Sequence, residues 1–303
     1  MPTILVTGGA GFIGSHLVDR LAAGNSNQVI VLDNLRRGRL KNLAASLSRI
    51  TFVEGDIRDR AKLEAVTRNV DTIYHLAAQS TVMGAVSDTD YSFTTNVTGT
   101  YEVLRAAREM GVQKLIFTSS REVYGDQDRF PVSETAQLKP KNHYGVSKLA
   151  GELYCQVLSS GCFQARVLRL ANVYGSRDFD RVIPTYANQA FQGEPLTLYG
   201  GDQLIDFIHI DHVVEALIRA ATRDSMLSPV NVGTGRPTDL RTLASKIISL
   251  TRSTSKLVIE RSRAIEVAKF MADTRLQKEC LGMESPVDPL KHLPDVVQSL
   301  ELR

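Results

Sequence analysis

Cysteine is scarce in this 303-residue chain. Cys155, Cys162 and Cys280 make an odd number with no Cys-x-x-Cys pair, which argues against a disulfide framework. The six histidines form no ligand-like cluster, so no structural zinc or other metal is expected. No apolar run reaches the roughly 18 residues that a membrane span requires. The apolar N-terminus lacks a leading basic residue and a small-residue cleavage pattern, so no signal peptide is expected. A dominant charge is missing too: 36 basic residues against 33 acidic ones leave +3, and the basic residues are scattered. That argues against a nucleic-acid arm or a polybasic membrane patch, while a pI near 8.7 leaves anionic small molecules as ligands. The expectation is a soluble, cytoplasmic, globular protein with neither nucleic-acid nor membrane partner. Its length suggests about two domains at roughly 150 residues each, with core enough to need no covalent staple.

The first third alternates short apolar runs with amphipathic stretches. Strands are expected at Thr3 to Thr7, Val29 to Asp33, Ile50 to Val53, Thr72 to Leu76 and Lys114 to Thr118. Phe12 to Ala23 spaces Ile13, Leu17, Val18 and Leu21 at helical intervals, and Thr98 to Met110 does so with Val103, Leu104 and Ala107. Strands apolar throughout and separated by helices imply a parallel sheet covered on both faces. The fold class expected is α/β, a Rossmann-type doubly wound sheet. From about Ala171 prolines and glycines become frequent, and single helices alternate with short strands. This predicts a smaller C-terminal α/β lobe partly threaded back into the first: residues 1–170 with a returning segment near 205–230, against 171–204 and 231–303.

Gly8-Gly9-Ala10-Gly11-Phe12-Ile13-Gly14 has the spacing G-x-x-G-x-x-G. Glycines also make ordinary turns, but here a strand precedes and a helix follows. Asp33 ends the next strand 19 residues after Gly14. Gly8 and Gly11 would let the backbone approach a pyrophosphate, Gly14 would let the helix pack closely, and the helix N-terminus would supply N–H donors. Asp33 would accept hydrogen bonds from the adenosine ribose and repel a 2′-phosphate, favouring NAD over NADP. Arg36 and Arg37 pull the other way, since a nearby arginine accommodates that phosphate. Asp56 could reach the adenine amino group with Ile57 on the ring, or could simply be a turn or cap residue.

Tyr144-Gly145-Val146-Ser147-Lys148 places a phenol and an ammonium on one helix face. An adjacent ammonium and a positive nicotinamide ring would both lower the phenol's pKa toward a useful range. Ser119 and Ser120 end a strand upstream, and a serine there could hold a substrate oxygen beside Tyr144. Together these motifs resemble the extended short-chain dehydrogenase/reductases of the nucleotide-sugar epimerase and dehydratase branch, nearly end to end. Further landmarks are Leu32-Asp33-Asn34-Leu35, Gly55-Asp56-Ile57, His75-Leu76-Ala77-Ala78-Gln79, Asn96 to Thr100, Val123-Tyr124-Gly125 and Arg169 to Gly175. The resemblance implies bound NAD and catalytic Ser120, Tyr144 and Lys148, with Leu76, Ala77, Ala78 and Gln79 under the cofactor and Asn96 steadying its loops. Phe12, Ile13, Asn34, Leu35, Gly38 and Ser119 join the expected cofactor contacts. It also implies a nucleotide-sugar substrate touched by Asn172, and a homodimer through helices near Thr98–Met110 and Tyr144–Leu158.

Departures from the family pattern narrow the reaction. The 4,6-dehydratases carry an adjacent Asp and Glu where this chain has Arg121-Glu122, and an arginine cannot serve as that acid. The decarboxylases pair a glutamate matching Glu122 with an arginine where Ile205 stands. Epimerases generally use the same arginine on the substrate diphosphate, and such a charge-assisted contact contributes about 1.5–3 kcal/mol. The second diphosphate arginine is matched by Arg263-Ala264-Ile265-Glu266, with Arg177 and Arg181 as further candidates. The expectation is NAD-dependent epimerisation, most simply at C4, with Glu122 as a substrate contact or a second acid/base. The alternatives are a reductase or dehydrogenase, a dehydratase or decarboxylase, and a cofactor sensor without turnover.

Overall fold

A computed structural model describes residues 1–24, 26–223 and 229–301. The strands are β1 (Thr3–Thr7), β2 (Gln28–Asp33), β3 (Ile50–Glu54), β4 (Thr72–His75), β5 (Lys114–Ser120), β6 (Gln164–Leu170), β7 (Asn172–Tyr174), β8 (Leu196–Tyr199), β9 (Leu204–His209), β10 (Val230–Val232), β11 (Pro237–Asp239) and β12 (Leu257–Glu260). The helices are α1 (Phe12–Ala22), α2 (Arg60–Thr67), α3 (Val82–Ser87), α4 (Thr89–Phe93), α5 (Thr100–Glu109), α6 (His143–Ser159), α7 (Val182–Phe191), α8 (Ile210–Thr222), α9 (Leu240–Leu250), α10 (Arg275–Leu281) and α11 (Leu293–Glu301). None of the described helices is long and apolar enough to cross a membrane.

Seven strands form one parallel sheet in the order β10-β6-β5-β4-β1-β2-β3. Both faces are covered, as the uninterrupted apolar strands required. On one side Leu17, Val18 and Leu21 of α1 pack with Val213, Val214 and Leu217 of α8. On the other, Leu63 of α2, Val103 and Leu104 of α5 and Cys155 of α6 bury against Leu5, Ile73, Leu115 and Phe117. The doubly wound α/β fold is therefore present. β1 runs on to β2 on one side and β4 to β5 on the other, so the loops at their carboxyl ends part and open a crevice.

A second core gathers Ile183, Tyr186 and Ala187 of α7, Leu243 and Ile247 of α9, and Val296 and Val297 of α11. These cover a three-stranded sheet, β11-β9-β7, and the β12-β8 pair. The chain crosses between the two cores several times. β10 pairs with β6 in the main sheet, and Phe270, Ala272, Cys280 and Leu281 share the core of α1 and α8. Of the expected lobe division, residues 224–228, 302 and 303 lie outside the described residues. Asp206 of β9 pins the crossing: its carboxylate is fully buried and accepts from the backbone N–H groups of Thr234, Gly235 and Ala272 at 2.8, 2.9 and 3.0 Å.

The helix expected at Thr98 starts earlier. A π-helical stretch, Thr94–Gly99, precedes α5. Such widened turns occur mostly where a side chain has a special task, and this one carries the buried Asn96.

Candidate active site

The crevice is a cavity of about 930 Å³ between the carboxyl end of the parallel sheet and the second core. Gly8, Gly11, Phe12, Ile13 and Gly14 line one end of it. The close packing there depends on missing side chains. A Cβ on Gly14 would stand 2.2 Å from the Gly8 carbonyl oxygen, and one on Gly8, at φ +73°, would stand 2.6 Å from Ala77 N. Gly11 begins α1 without a side-chain cap, so the first turn keeps backbone N–H groups for an anion.

Asp33 is buried beside this loop. Its two carboxylate oxygens accept from Ala10 N at 2.9 Å and Leu35 N at 2.8 Å. Burial raises its pKa, and those two N–H groups work against the rise. Arg36 pairs with Asp88 at 2.9 Å and lies 3.6 Å over the Tyr91 ring. Arg37 forks onto both oxygens of Asp180, in the loop before α7, at 2.9 and 2.8 Å. Asn34, Gly38, Ile57, Leu76, Ala77, Ala78 and Ser119 also line the cavity. A dinucleotide fits this cradle: a glycine loop packed to contact, a free helix N-terminus and a buried acid.

Four expected cofactor residues do not line the cavity. Leu35 adopts a left-handed backbone, φ 56°, to place its N–H on Asp33. Asp56 is turned toward Arg58 and Asn34, each at 2.8 Å. The Arg58 hydrogen bonds hold its carboxyl down at about 2. Gln79 and Asn96 clamp each other: Gln79 N donates to Asn96 Oδ1 at 2.8 Å, while Asn96 Nδ2 donates to the Gln79 carbonyl at 3.0 Å and to Ser147 Oγ at 2.9 Å. Asn96 thus ties the loop after β4 to α6.

Ser120 at the end of β5 and Tyr144 and Lys148 on α6 converge on the middle of the cavity. Asn142 caps α6, accepting from Gly145 N at 2.8 Å, which fixes Tyr144 in its first turn. The expected lowering of the phenol by Lys148 is not met. Burial pushes Tyr144 up to about 12, against opposing help from Arg181 and Ser120. The reason is where the ammonium goes: Lys148 Nζ donates to the Thr118 carbonyl at 2.8 Å and lies 5.8 Å from the Tyr144 ring centroid. Full burial brings Lys148 itself down to about 8. Behind the site, Glu152 takes the Ser119 hydroxyl and a buried ion pair from Arg169 at 2.6 Å.

Arg121 and Glu122 also reach the cavity wall and pair with each other at 3.0 Å. The second Glu122 oxygen accepts from Asn142 Nδ2 at 2.8 Å. Asn172, Arg181, Ile205, Arg263 and Glu266 also line the cavity. Arg181 pairs with Asp178 at 2.8 Å. Arg263 pairs with Glu266 at 3.0 Å and stacks 3.5 Å over Tyr199. Arg177 is held instead by Asp19 at 2.7 Å and does not line the cavity. Thr81, Tyr91, Phe179, Asp180 and Tyr199 line it without having been foreseen. No motif spacing marks them; the only local signal is the Gly200-Gly201 turn after Tyr199.

The family model described as "NAD dependent epimerase/dehydratase family" matches residues 4–233. A protein of Methanocaldococcus jannaschii named putative UDP-glucose 4-epimerase is 33% identical, over 97% of this chain and 97% of its own. UDP-glucuronic acid decarboxylase 4 of Arabidopsis thaliana is 32% identical, over 99% of this chain and 69% of its own. A crystal structure of a dTDP-glucose 4,6-dehydratase from Streptomyces venezuelae with NAD bound superposes with a TM-score of 0.94. It is 30% identical and covers 99% of this chain and 97% of that one.

Proposed function

We propose, from the premise that the chain belongs to the NAD dependent epimerase/dehydratase family, that it is an NAD-dependent nucleotide-sugar 4-epimerase. One observation carries the choice of reaction. Beyond Tyr144, a dehydratase needs a free acid and base near the sugar, and here both Glu122 oxygens are engaged, by Arg121 and Asn142. Epimerisation needs only one group that exchanges a proton, and Tyr144 is in the cavity wall beside Ser120 and Lys148.

The glycine loop and the first turn of α1 would hold the cofactor's pyrophosphate, and Asp33 its adenosine ribose. Asp33 repels a 2′-phosphate, and the acids on Arg36 and Arg37 neutralise the charges that would attract one, which supports NAD over NADP. When bound, NAD would supply reversible hydride transfer at the sugar carbon, with return to the opposite face and no net redox change. In our reading Tyr144 Oη removes the proton from the sugar 4-hydroxyl and later returns it. Ser120 Oγ holds the same oxygen, and the Lys148 ammonium, 5.8 Å from the Tyr144 ring centroid, is anchored behind it on the Thr118 carbonyl. Asn172, Arg181 and Arg263 are assigned to the nucleotide end of the substrate. The M. jannaschii relative supports a UDP-sugar by its name.

We read the sheet side of the cavity as a cofactor lobe and the second core as a substrate lobe. Val146, Leu153 and Val157 of α6 are 54, 55 and 69% exposed, and we assign this apolar face to a homodimer contact. A second reading, a reductase of a non-nucleotide carbonyl compound, is favoured only by Ile205 in the cavity wall; net consumption of NADH distinguishes it. Tyr144→Phe tests the first reading. Turnover should fall by about 10²–10⁴-fold with NAD still bound, and near-normal turnover would remove Tyr144 from the role.

A further inference from the structure

Arg121 and Glu122 follow Ser120 directly, and their side chains are only 10% and 7% exposed. Each reaches beyond the other. Arg121 Nε donates to Asn172 Oδ1 at 2.5 Å, and Nη1 donates to the Val267 carbonyl at 3.3 Å. Glu122 Oε2 accepts from Asn142 Nδ2, which also donates to the Ile265 carbonyl at 3.0 Å. The Glu122 backbone N–H donates to Ser120 Oγ at 3.2 Å. One connected path therefore joins Asn172 and the 265–267 backbone, which flanks Glu266, to the residue that caps α6 and sets Tyr144.

We infer that Arg121 and Glu122 are a positioning pair that docks the substrate-binding segments against the catalytic helix, and that neither exchanges a proton with the sugar. This rests on the epimerase reading for its substrate but not for its geometry. Glu122 has no oxygen without a partner: freeing Oε1 would leave Arg121 without its counter-charge, and freeing Oε2 would strand the Asn142 amide. Arg121 acts on the ligand through Asn172. With Oδ1 taken by the guanidinium, the Asn172 amide is left with its N–H₂ as the group that can reach a substrate oxygen. The planar fork matters here: three different donor nitrogens serve three acceptors in fixed directions, which an ammonium cannot reproduce. The Arg-Glu pair beside Ser120 is thus a structural joint.

The test is a set of variants in the full-length protein, each read by KM, kcat, the pH profile of kcat and the Kd of UDP alone. Glu122→Gln should raise KM by about tenfold, because its amide N–H₂ faces the Asn142 amide and Arg121 loses its counter-charge, with the shape of the kcat pH profile unchanged. A loss of about 10²-fold or more in kcat, or the disappearance of one pH limb, would make Glu122 an acid or base and overturn the inference. Arg121→Lys should raise KM and the Kd of UDP by about tenfold, the size of one lost charge-assisted contact, with a smaller change in kcat; unchanged UDP binding would overturn it. Asn142→Ser keeps a cap for α6 while removing the amide that reaches Glu122 and Ile265. It should show the same rise in KM, and no rise would count against the path even if the Arg121 variant fails to fold. UDP binding is read without turnover. If the wild type fails to interconvert epimers, the epimerase reading falls while the positioning pair is still tested.

Discussion

Replacing Lys148 with Met should make the protein more stable and nearly inactive. The ammonium is buried, and its desolvation brings it from 10.5 down to about 8. That gap corresponds to about 3 kcal/mol by which the folded state disfavours the charge. Methionine fills a similar volume without a charge, but it leaves the Thr118 carbonyl without the 2.8 Å hydrogen bond, a loss of about 1 kcal/mol. The net gain is about 2 kcal/mol at pH 7. With an unfolding entropy near 2.1 cal/mol/K per residue, about 0.6 kcal/mol/K for the chain, Tm should rise by about 3 °C. The pH dependence gives the sign. Below about pH 8 the ammonium is charged in both the folded and unfolded states, and the gain is complete. Between about 8 and 10.5 the folded state sheds the proton while the unfolded chain keeps it, so wild-type stability rises with pH. The advantage of Met should therefore fade, vanish before pH 10.5 and leave only the cost of the lost hydrogen bond there. Thermal unfolding across this range, beside activity assays, measures both effects. A Met variant less stable at pH 7, or an advantage indifferent to pH, would refute the reasoning.

Two further outcomes concern the cofactor. Gly14→Ala puts a methyl 2.2 Å from the Gly8 carbonyl oxygen and 2.8 Å from Gly9 Cα. Overpacking of this kind costs about 1–3 kcal/mol, so NAD affinity should fall by about tenfold or more, read as cofactor content after purification; full occupancy would contradict the role of the loop. Asp180→Asn loosens the fork to Arg37 that joins the loop after β2 to the loop before α7. The pair is about a third exposed, and solvent screening limits it to about 0.2–1 kcal/mol. NAD should dissociate up to about fivefold faster, and an unchanged release rate would show that the bridge does not retain it.

The most legible residues were those whose spacing is set by one strand-to-helix turn. Gly8, Gly11 and Gly14 are bound to the end of β1, Asp33 to the end of β2, and Tyr144 and Lys148 to one helix face, so local sequence placed them correctly around the cavity. The partners that decide their chemistry lie far away in the chain. Lys148 meets the Thr118 carbonyl instead of the phenol, and Glu122 meets Asn142 and Arg121. These pairings follow from how α6 lies across β5. Asp56 had a local rival that spacing could not weigh, the guanidinium of Arg58 two residues on. The cavity wall at Phe179 and Asp180 was invisible because it comes from a loop without a motif. The lobe crossing at Phe270 to Leu281 escaped for a similar reason, since its apolar residues suit either core.

Epimerisation can be followed by giving the purified protein, with no added NAD or reductant, a UDP-hexose. Product configuration and NADH absorbance are followed together. Conversion to the 4-epimer and back is expected, to the same equilibrium mixture from either side, with no NADH accumulating. Stoichiometric NADH, release of carbon dioxide from a UDP-uronate, or a 4-keto-6-deoxy product would contradict it.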